Sequence, residues 1–555
     1  MKSSKSIFIF LLISTMIFSL GCGKKDKLPA ELEEVLNSGN GWLRLGVYGD
    51  PMSLNPIAHI ETEHGQMLNH FVHASPLRKL DDGSFVPYLF DSYSISENSG
   101  NIVLQAVWKS DLKWHDGTVF DPKDLEFTFD QIRKAENNSP YADLLKGVKS
   151  ISSFGRPQQT LITFTQNSRR LLDLLTIGIL PSHILKNESV DATRVEKAGV
   201  ASESWPLYSE QPVGLGPYRI VAREKGRYIH LAPFEGFFDT ATRTQVLVCS
   251  YFDYQQLVTD FRAKKLDWIS LPSMVAEQLE TMKVDNLFFI RYPNPACMTW
   301  LFNGKKPLLA DKRMRHALDL LADRKKVENE NPYAGVPLFD SPFASGSGVV
   351  TETTSRFAEA LNLLDSLGWK DSDGDGIRDQ NGQKLELSVV FNDDNLLRRA
   401  VAERFVEDCR RAGVLLTLKP VSWSDLVSQH LKKGDFDTAL VSFRFPEAGN
   451  LIDMLHSKSD SQTALNFSGL SSPDLDAVLE KLDSMLPDDE NAESRAKNLA
   501  MLQNFLREER PVAFLFKPYD VGIMHDASGS AQAASPVWND VRNWKALFGP
   551  TDSKL

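Results

Sequence analysis

Six side chains able to bind a metal crowd into fifteen residues near the start of the chain: His59, Glu61, Glu63, His64, His70 and His73. The whole protein contains only eleven histidines. Imidazoles and carboxylates suit transition metals, so this segment could hold a metal ion or contact a metal chelate. It could also serve a lipid-anchored, metal-dependent hydrolase. Its spacing matches no fixed metal motif, and the plainer reading is an exposed loop running into a helix face. A second acidic group, Asp371-Ser372-Asp373-Gly374-Asp375-Gly376-Ile377-Arg378-Asp379, imitates the start of a calcium loop. The twelfth position, where such a loop needs a bidentate Glu, is Gly382. A turn is the better account of it.

Other signatures of catalysis are absent. The chain has no G-x-S-x-G, no H-E-x-x-H, no phosphate-binding P-loop and no G-x-G-x-x-G. Triads are defined by geometry rather than order, so this lowers the expectation of an enzyme without abolishing it. No cofactor is implied.

The N-terminus carries an address. Lys2 and Lys5 precede the apolar runs Ile7–Ile13 and Met16–Phe18, and Ser19-Leu20-Gly21-Cys22 follows. That order reads as a signal peptide over residues 1–21 with lipidation at Cys22. The apolar stretch falls well short of the ~20 residues that span a bilayer. Residues 22–42 then form a tether, and the protein is expected to be extracytoplasmic and held to a membrane by its lipid.

Removing residues 1–21 takes away two lysines and no acids, leaving 60 basic against 73 acidic residues and a net charge of −13. An acidic body argues against a nucleic-acid partner, because phosphate binding relies on a Lys/Arg surplus. Beyond Cys22 only Cys249, Cys297 and Cys409 remain. Three widely spaced cysteines make neither a disulfide framework nor a zinc cluster, and buried apolar thiols are the better reading.

A mature chain of this length exceeds one core, and two or three domains are expected. Helical and strand patterns alternate, which indicates an α/β class. Asp121-Pro122-Lys123-Asp124 and Ser472-Pro473 are helix starts, and Thr354 caps a third helix that stops at Gly368. Lys384 to Phe443 reads strand–helix–strand–helix–strand, a βαβαβ unit with a parallel sheet. Ligands of such sheets bind beyond the carboxyl ends of the strands, which points to the residues just after Val441.

The chain resembles the peptide/nickel type of ABC-transporter solute-binding proteins from about Leu43 to Leu547. The blocks that carry the resemblance are Leu112-Lys113-Trp114-His115-Asp116-Gly117-Thr118-Val119-Phe120 with Lys123–Phe127, Leu180-Pro181-Ser182-His183-Ile184-Leu185, and Pro212-Val213-Gly214-Leu215-Gly216-Pro217-Tyr218. Phe302-Asn303 and Arg313-Met314-Arg315-His316-Ala317-Leu318 continue them in family order.

The resemblance implies a type II periplasmic-binding-protein-like fold, two lobes with an additional domain, closing on ligand by hinge motion. Domain I would comprise 43–69, 206–293 and 511–547, domain II the insertion 70–205, and domain III residues 294–510. The protein would be a monomer that delivers a small ligand, above all a peptide, to ABC permease subunits. A metal chelate or another non-peptide solute is the alternative, as is a family member adapted to signalling.

Peptide-binding relatives place an Asp after a Trp-containing strand to pair with the peptide ammonium. Here Phe443 falls where that Trp would be, Pro446 falls on the Asp position, and Glu447 stands next to it. Arg444 adds a positive charge that favours an anionic ligand group. Trp423 is placed as an aromatic pocket wall, and Trp300 lies just before the Phe-Asn pair. Glu61 and His64 fall at the entry from domain I to domain II, near the cleft.

Overall fold

A computed structural model describes residues 29–525, apart from residues 40, 51–52, 59–62, 81–83, 99–100, 138, 156–157, 166–169, 187–205, 240–243, 273–274, 278, 280–286, 294–295, 331–335, 339–352, 394, 445–450, 458–464 and 485–491. Three main sheets organise it.

The first lobe is built on seven strands, in spatial order Leu287–Pro293, Tyr519–His525, Trp268–Pro272, Leu43–Tyr48, Val246–Tyr251, Tyr228–Pro233 and Tyr218–Glu224. Leu43–Tyr48 runs parallel to both of its neighbours. Its four middle residues, Arg44 to Val47, are all buried because both faces are covered. Leu45 and Val47 face a core with Met67 and Phe71, while Ile269 and Leu271 face another with Leu257 and Phe261. Gly46 lets the helix Tyr254–Arg262 approach, since a Cβ there would stand 2.5 Å from Leu257 Cδ1. The helix Ala30–Ser38 lays Leu32 and Val35 on the same lobe. Arg44 ties it down by donating to the Leu36 carbonyl at 2.9 Å while pairing with Asp267 at 2.6 Å.

The insertion forms a four-stranded antiparallel sheet, Phe90–Asn98, Asn101–Trp108, Gln159–Phe164 and Val148–Phe154 in spatial order. Burial alternates along Asn101–Trp108 and Gln159–Phe164, so one face packs on its own core. The helix Lys123–Arg133 starts as its sequence indicates. Asp121 Oδ1 accepts from the Lys123 N–H at 2.9 Å, and Asp124 Oδ2 accepts from the Asp121 N–H at 3.2 Å.

The second lobe has six strands, in spatial order Val336–Pro337, Val512–Lys517, Ala296–Phe302, Thr438–Arg444, Glu386–Asn392 and Leu415–Val421. Glu386–Asn392 pairs in parallel with both Leu415–Val421 and Thr438–Arg444, which is the βαβαβ unit read from the sequence. The helix Leu396–Arg411 buries Val401, Phe405 and Cys409, and the chain turns back at Gly413 with φ +76°. Pro473–Ser484 and Thr353–Ser366 are the other two helices expected.

Two domain boundaries move. The helix Glu63–Val72 sends Met67, Leu68, Phe71 and Val72 into the first-lobe core, so the insertion leaves that lobe after Val72 rather than at residue 70. Val512–Lys517 pairs with Ala296–Phe302 in the second sheet, so the chain returns to the first lobe at Pro518 and not at residue 511. Both crossings between the lobes lie side by side. Pro293 and Tyr519 are register partners in the first sheet, and Met298 and Phe516 are partners in the second.

All three cysteines of the described chain are buried and free. Burial pushes the Cys249 thiol up to about 12 and that of Cys297 to about 11, so neither is a reactive thiolate. No helix among the described residues is long and apolar enough to cross a membrane.

Candidate ligand-binding site

A cleft of about 340 Å³ opens between the two lobes beside the crossings. The first lobe supplies Tyr254, Pro272 and Val275, and the returning chain supplies Tyr519 and Asp520. Tyr254 opens the helix that follows the parallel strand Val246–Tyr251, with Asp253 as its cap, accepting from the Gln255 N–H at 2.8 Å. Its ring stacks on Tyr48, with centroids 4.0 Å apart. Burial, then Tyr48 and Asp520, push the Tyr254 hydroxyl above its ordinary range, so it stays a neutral donor.

The second lobe supplies Met298, Ser442 and the N-terminal turn of the helix Leu396–Arg411. Arg398 is the charged residue of that turn that lines the cleft, and it is only 7% exposed. Its guanidinium donates to Asn392 Oδ1 and, at 2.9 Å, to Ser442 Oγ. It also lies 5.6 Å from the Trp423 ring centre. Asn392 and Ser442 sit at the carboxyl ends of parallel strands, where the βαβαβ rule places a ligand.

A second cleft, about 400 Å³, lies between the helix Glu63–Val72 and the insertion. His70, His73, Asn69 and Tyr141 line it. His73 Nε2 is 2.9 Å from the Leu54 carbonyl. Burial lowers its pKa to about 3 despite that bond, so the ring is neutral, with Nε2 the donor and Nδ1 left as an acceptor. Next to it, His115 Nδ1 accepts from the Gly214 N–H at 3.1 Å, and its Nε2 donates to the Gly216 carbonyl at 2.9 Å. These two bonds fasten the insertion to the first lobe through the Trp114-His115 and Gly214-Leu215-Gly216 motifs.

The sequence-derived residues divide among these places. Trp423 is 47% exposed and stands beside Arg398, a residue of the cleft wall. Trp300 does not stand there. It is fully buried in the second-lobe core, 4.9 Å from Phe405 between ring centres, because its strand packs that face on the helix carrying Phe405. Phe443 also turns away. Strand alternation puts Ser442 on the cleft side and Phe443 on the opposite face, near Phe467 and Leu301. Arg444 ends its strand opposite Ala296, a residue of the cleft wall. Glu447, His59 and Glu61 lie outside the described residues, as does Cys22. His64 lies on the helix Glu63–Val72.

Among the described residues, the one group of three or more side chains close enough to share a metal ion is Asp371, Asp373 and Asp375, so His70 and His73 do not make such a group. The acidic run is held as a turn. Asp371 accepts from the N–H groups of Gly374 and Gly376, and Lys384 pairs with Asp375.

Arg398, Tyr254 and Asp520 escaped the sequence reading. For the first two a signal exists, since each lies at or near the start of a helix directly after a parallel strand. Asp520 has no local signal, because its place depends on where the chain crosses back.

A family model for the middle region of the bacterial extracellular solute-binding proteins, family 5, matches residues 84–462. The oligopeptide-binding protein AppA of Bacillus subtilis is 24% identical over 544 residues, covering 93% of this chain and 94% of that protein. Its structure in complex with a nonapeptide superposes with a TM-score of 0.69 at 21% identity, over 88% of this chain and 94% of that one. NikZ of Campylobacter jejuni in complex with Ni(L-His) gives 0.70 at 22% identity, over 87% and 94%. NikA of Brucella suis in complex with Fe(III)-EDTA gives 0.73 at 18% identity, over 89% and 97%.

Proposed function

Because the chain belongs to the bacterial extracellular solute-binding proteins of family 5, we propose that it captures a small solute, above all a peptide, between its two lobes and delivers it to an ABC importer. It is a receptor and not an enzyme. The observation that carries the reading is the cleft itself. It lies where two adjacent crossings form a hinge, and it draws walls from both lobes. Ligand held by both walls favours the closed arrangement by its differential affinity for it. Trp423 contributes an aromatic wall. Arg444 and Glu447 follow the cleft-side Ser442 in sequence and are the polar residues assigned to the solute in this reading. The alignment of AppA, an oligopeptide-binding protein, over nearly the whole chain supports a peptide.

Cys22 carries the lipid that holds the receptor at the membrane, and of the tether expected over residues 22–42 the helix Ala30–Ser38 packs Leu32 and Val35 on the first lobe. The receptor acts as a monomer. Intact-mass analysis of detergent-extracted protein should show residues 1–21 removed and a lipid adduct that disappears in Cys22→Ser.

Native mass spectrometry on protein beginning just after Cys22, followed by denaturing release, tests the ligand. A set of short peptides is the expected result. A single metal chelate, as in the NikZ and NikA structures, would replace the peptide with that solute. Protein that binds no released or added solute would overturn the receptor reading.

A further inference from the structure

The chain ahead of the first strand is fastened to the first lobe at three points. The helix Ala30–Ser38 buries Leu32 and Val35 in a core that also holds Leu257 and Phe261 of the helix Tyr254–Arg262. Beyond its end Gly39 takes a left-handed conformation, φ +77°, and Arg44, itself paired with Asp267, donates to the Leu36 carbonyl at 2.9 Å. Between helix and strand, the Trp42 ring stacks on His230 with centroids 4.3 Å apart. A helix of nine residues is too short to stand alone in water, so this one depends on the lobe beneath it.

Strand parity decides which face it occupies. Along Val246–Tyr251, Leu247 and Cys249 point to the core shared with Leu32 and Val35, whereas Val246 and Val248 point to the core of the helix Glu63–Val72. The insertion leaves the lobe just after Val72, at the end of that second helix. Gly178 of the insertion packs there, where a Cβ would stand 2.6 Å from His73 Cβ. The docked helix and the insertion therefore lie on opposite sides of the first-lobe sheet.

Chain length turns the docking into a constraint. From Cys22 to Ala30 the chain reaches at most about 29 Å, because each residue spans no more than ~3.6 Å. Undocked as far as Leu43, it would reach about 75 Å. Two helical layers and the sheet between them make the lobe roughly 30 Å thick. The shorter tether cannot pass round the lobe to bring its far side to the bilayer, whereas the longer one can.

We propose that the helix Ala30–Ser38 is a docked strap that makes the membrane anchor short and directional, holding the face with Tyr254–Arg262 toward the lipid surface and the insertion away from it. This rests on Cys22 being the residue that carries the lipid.

The test uses the full lipidated chain in phosphatidylcholine vesicles that carry an energy-transfer acceptor on their headgroups. A donor dye is attached at Thr259→Cys on the helix Tyr254–Arg262 or at Ser96→Cys on the insertion, both exposed positions. Cys249, Cys297 and Cys409 are buried, so the introduced cysteine takes the label. Thr259 is placed a lobe thickness nearer the bilayer, and its transfer should exceed that of Ser96 by about twofold or more. A flexible Gly-Ser insert of about twenty residues between Lys27 and Leu28 lengthens the tether without altering the strap, and should bring the two efficiencies together. Leu32→Glu combined with Val35→Glu, which undocks the helix, should do the same. Equal transfer in the parent protein, or a difference that survives the insert, would overturn the proposal and leave the anchor standing. Protein that does not float with the vesicles and shows an unmodified Cys22 by intact mass would end both, with the receptor reading untouched.

Discussion

The Asp319 carboxylate and the Arg510 guanidinium meet at 2.7 Å in the interior of the second lobe, with Asp319 wholly buried. Arg510 ends the helix Ala492–Glu509 in a left-handed conformation, φ +47°, immediately before the strand Val512–Lys517. Asp319 also binds Arg324, and Arg356 stands 3.8 Å away. Burial alone would raise the Asp319 pKa, but Arg324, Arg510 and Arg356 overcome it and hold the group at about 2. Asp319→Asn would remove the buried carboxylate charge that Arg324, Arg356 and Arg510 share. Chemical denaturation should show a loss of about 3–5 kcal/mol, the usual cost of breaking a buried pair. A loss under 1 kcal/mol would mean that the arginines find water instead. The depressed pKa also fixes a sign: stability from Asp319 is present above its ordinary pKa near 4 and is lost as pH falls toward 2.

The histidines at the junction of the first lobe and the insertion act at a higher pH. Burial lowers His73 to about 3, with His115 and His70 adding to the effect, and lowers His115 to about 4, with Arg219 adding to it. Both are neutral in the folded protein and titrate near 6.5 when unfolded. Protons therefore bind the unfolded chain first. Stability is intact above pH 6.5 and declines as pH drops toward 4, by up to about 1.4 kcal/mol per pH unit for each histidine. Urea midpoints measured at pH 7, 6 and 5 should fall in that order. In His115→Gln, whose amide can still serve the two glycine backbone groups, the slope should be shallower. An unchanged slope would remove His115 from the account.

Gly214 and Gly216 give the junction its second requirement. The Gly216 N–H donates to the Val72 carbonyl at 2.9 Å, and a Cβ added to Gly214 would fall 1.9 Å from the same oxygen. That neighbour is backbone at the end of a buried helix, so it cannot swing aside. Gly214→Ala should cost at least the 1–3 kcal/mol typical of overpacking. Limited proteolysis should cut the insertion faster than the second lobe. Equal cutting would show that the strain spreads rather than staying at the junction.

Local chemistry made much of this fold readable. The parallel unit 386–444 alternates, caps and turns within single elements, and its pairing follows from the right-handed crossover. The helix starts at Asp121 and Ser472 are likewise decided by the residues beside them. The site was harder because two surfaces far apart in sequence build it. Glu386–Asn392 announces Arg398, yet nothing near Asp520 announces that the chain crosses back at Pro518. Phe443 and Ser442 differ by one position, and strand parity sends them to opposite faces. Matching a neighbouring pattern cannot supply that parity, whereas the Val441-Ser442 register can.

Two tryptophans separate the part a residue plays in the fold from its part in binding. Trp300 has no exposed surface and packs on Phe302 and Phe405, with ring centres 5.3 and 4.9 Å away. Trp300→Ala should therefore cost about 3–5 kcal/mol of stability, as large core truncations do. Protein that still folds should bind solute with little change. Trp423 is nearly half exposed, and its ring backs the Arg398 guanidinium at 5.6 Å. Truncating it removes little buried surface, so Trp423→Ala should change stability by less than about 1 kcal/mol. It should nonetheless weaken solute binding, both by losing an aromatic wall and by freeing Arg398 to reorient. Thermal melts with calorimetric titration of whatever solute native mass spectrometry identifies would read both quantities. If Trp423→Ala binds as the parent does, the aromatic wall lies elsewhere, and Tyr254 with its stacked partner Tyr48 becomes the pair to test.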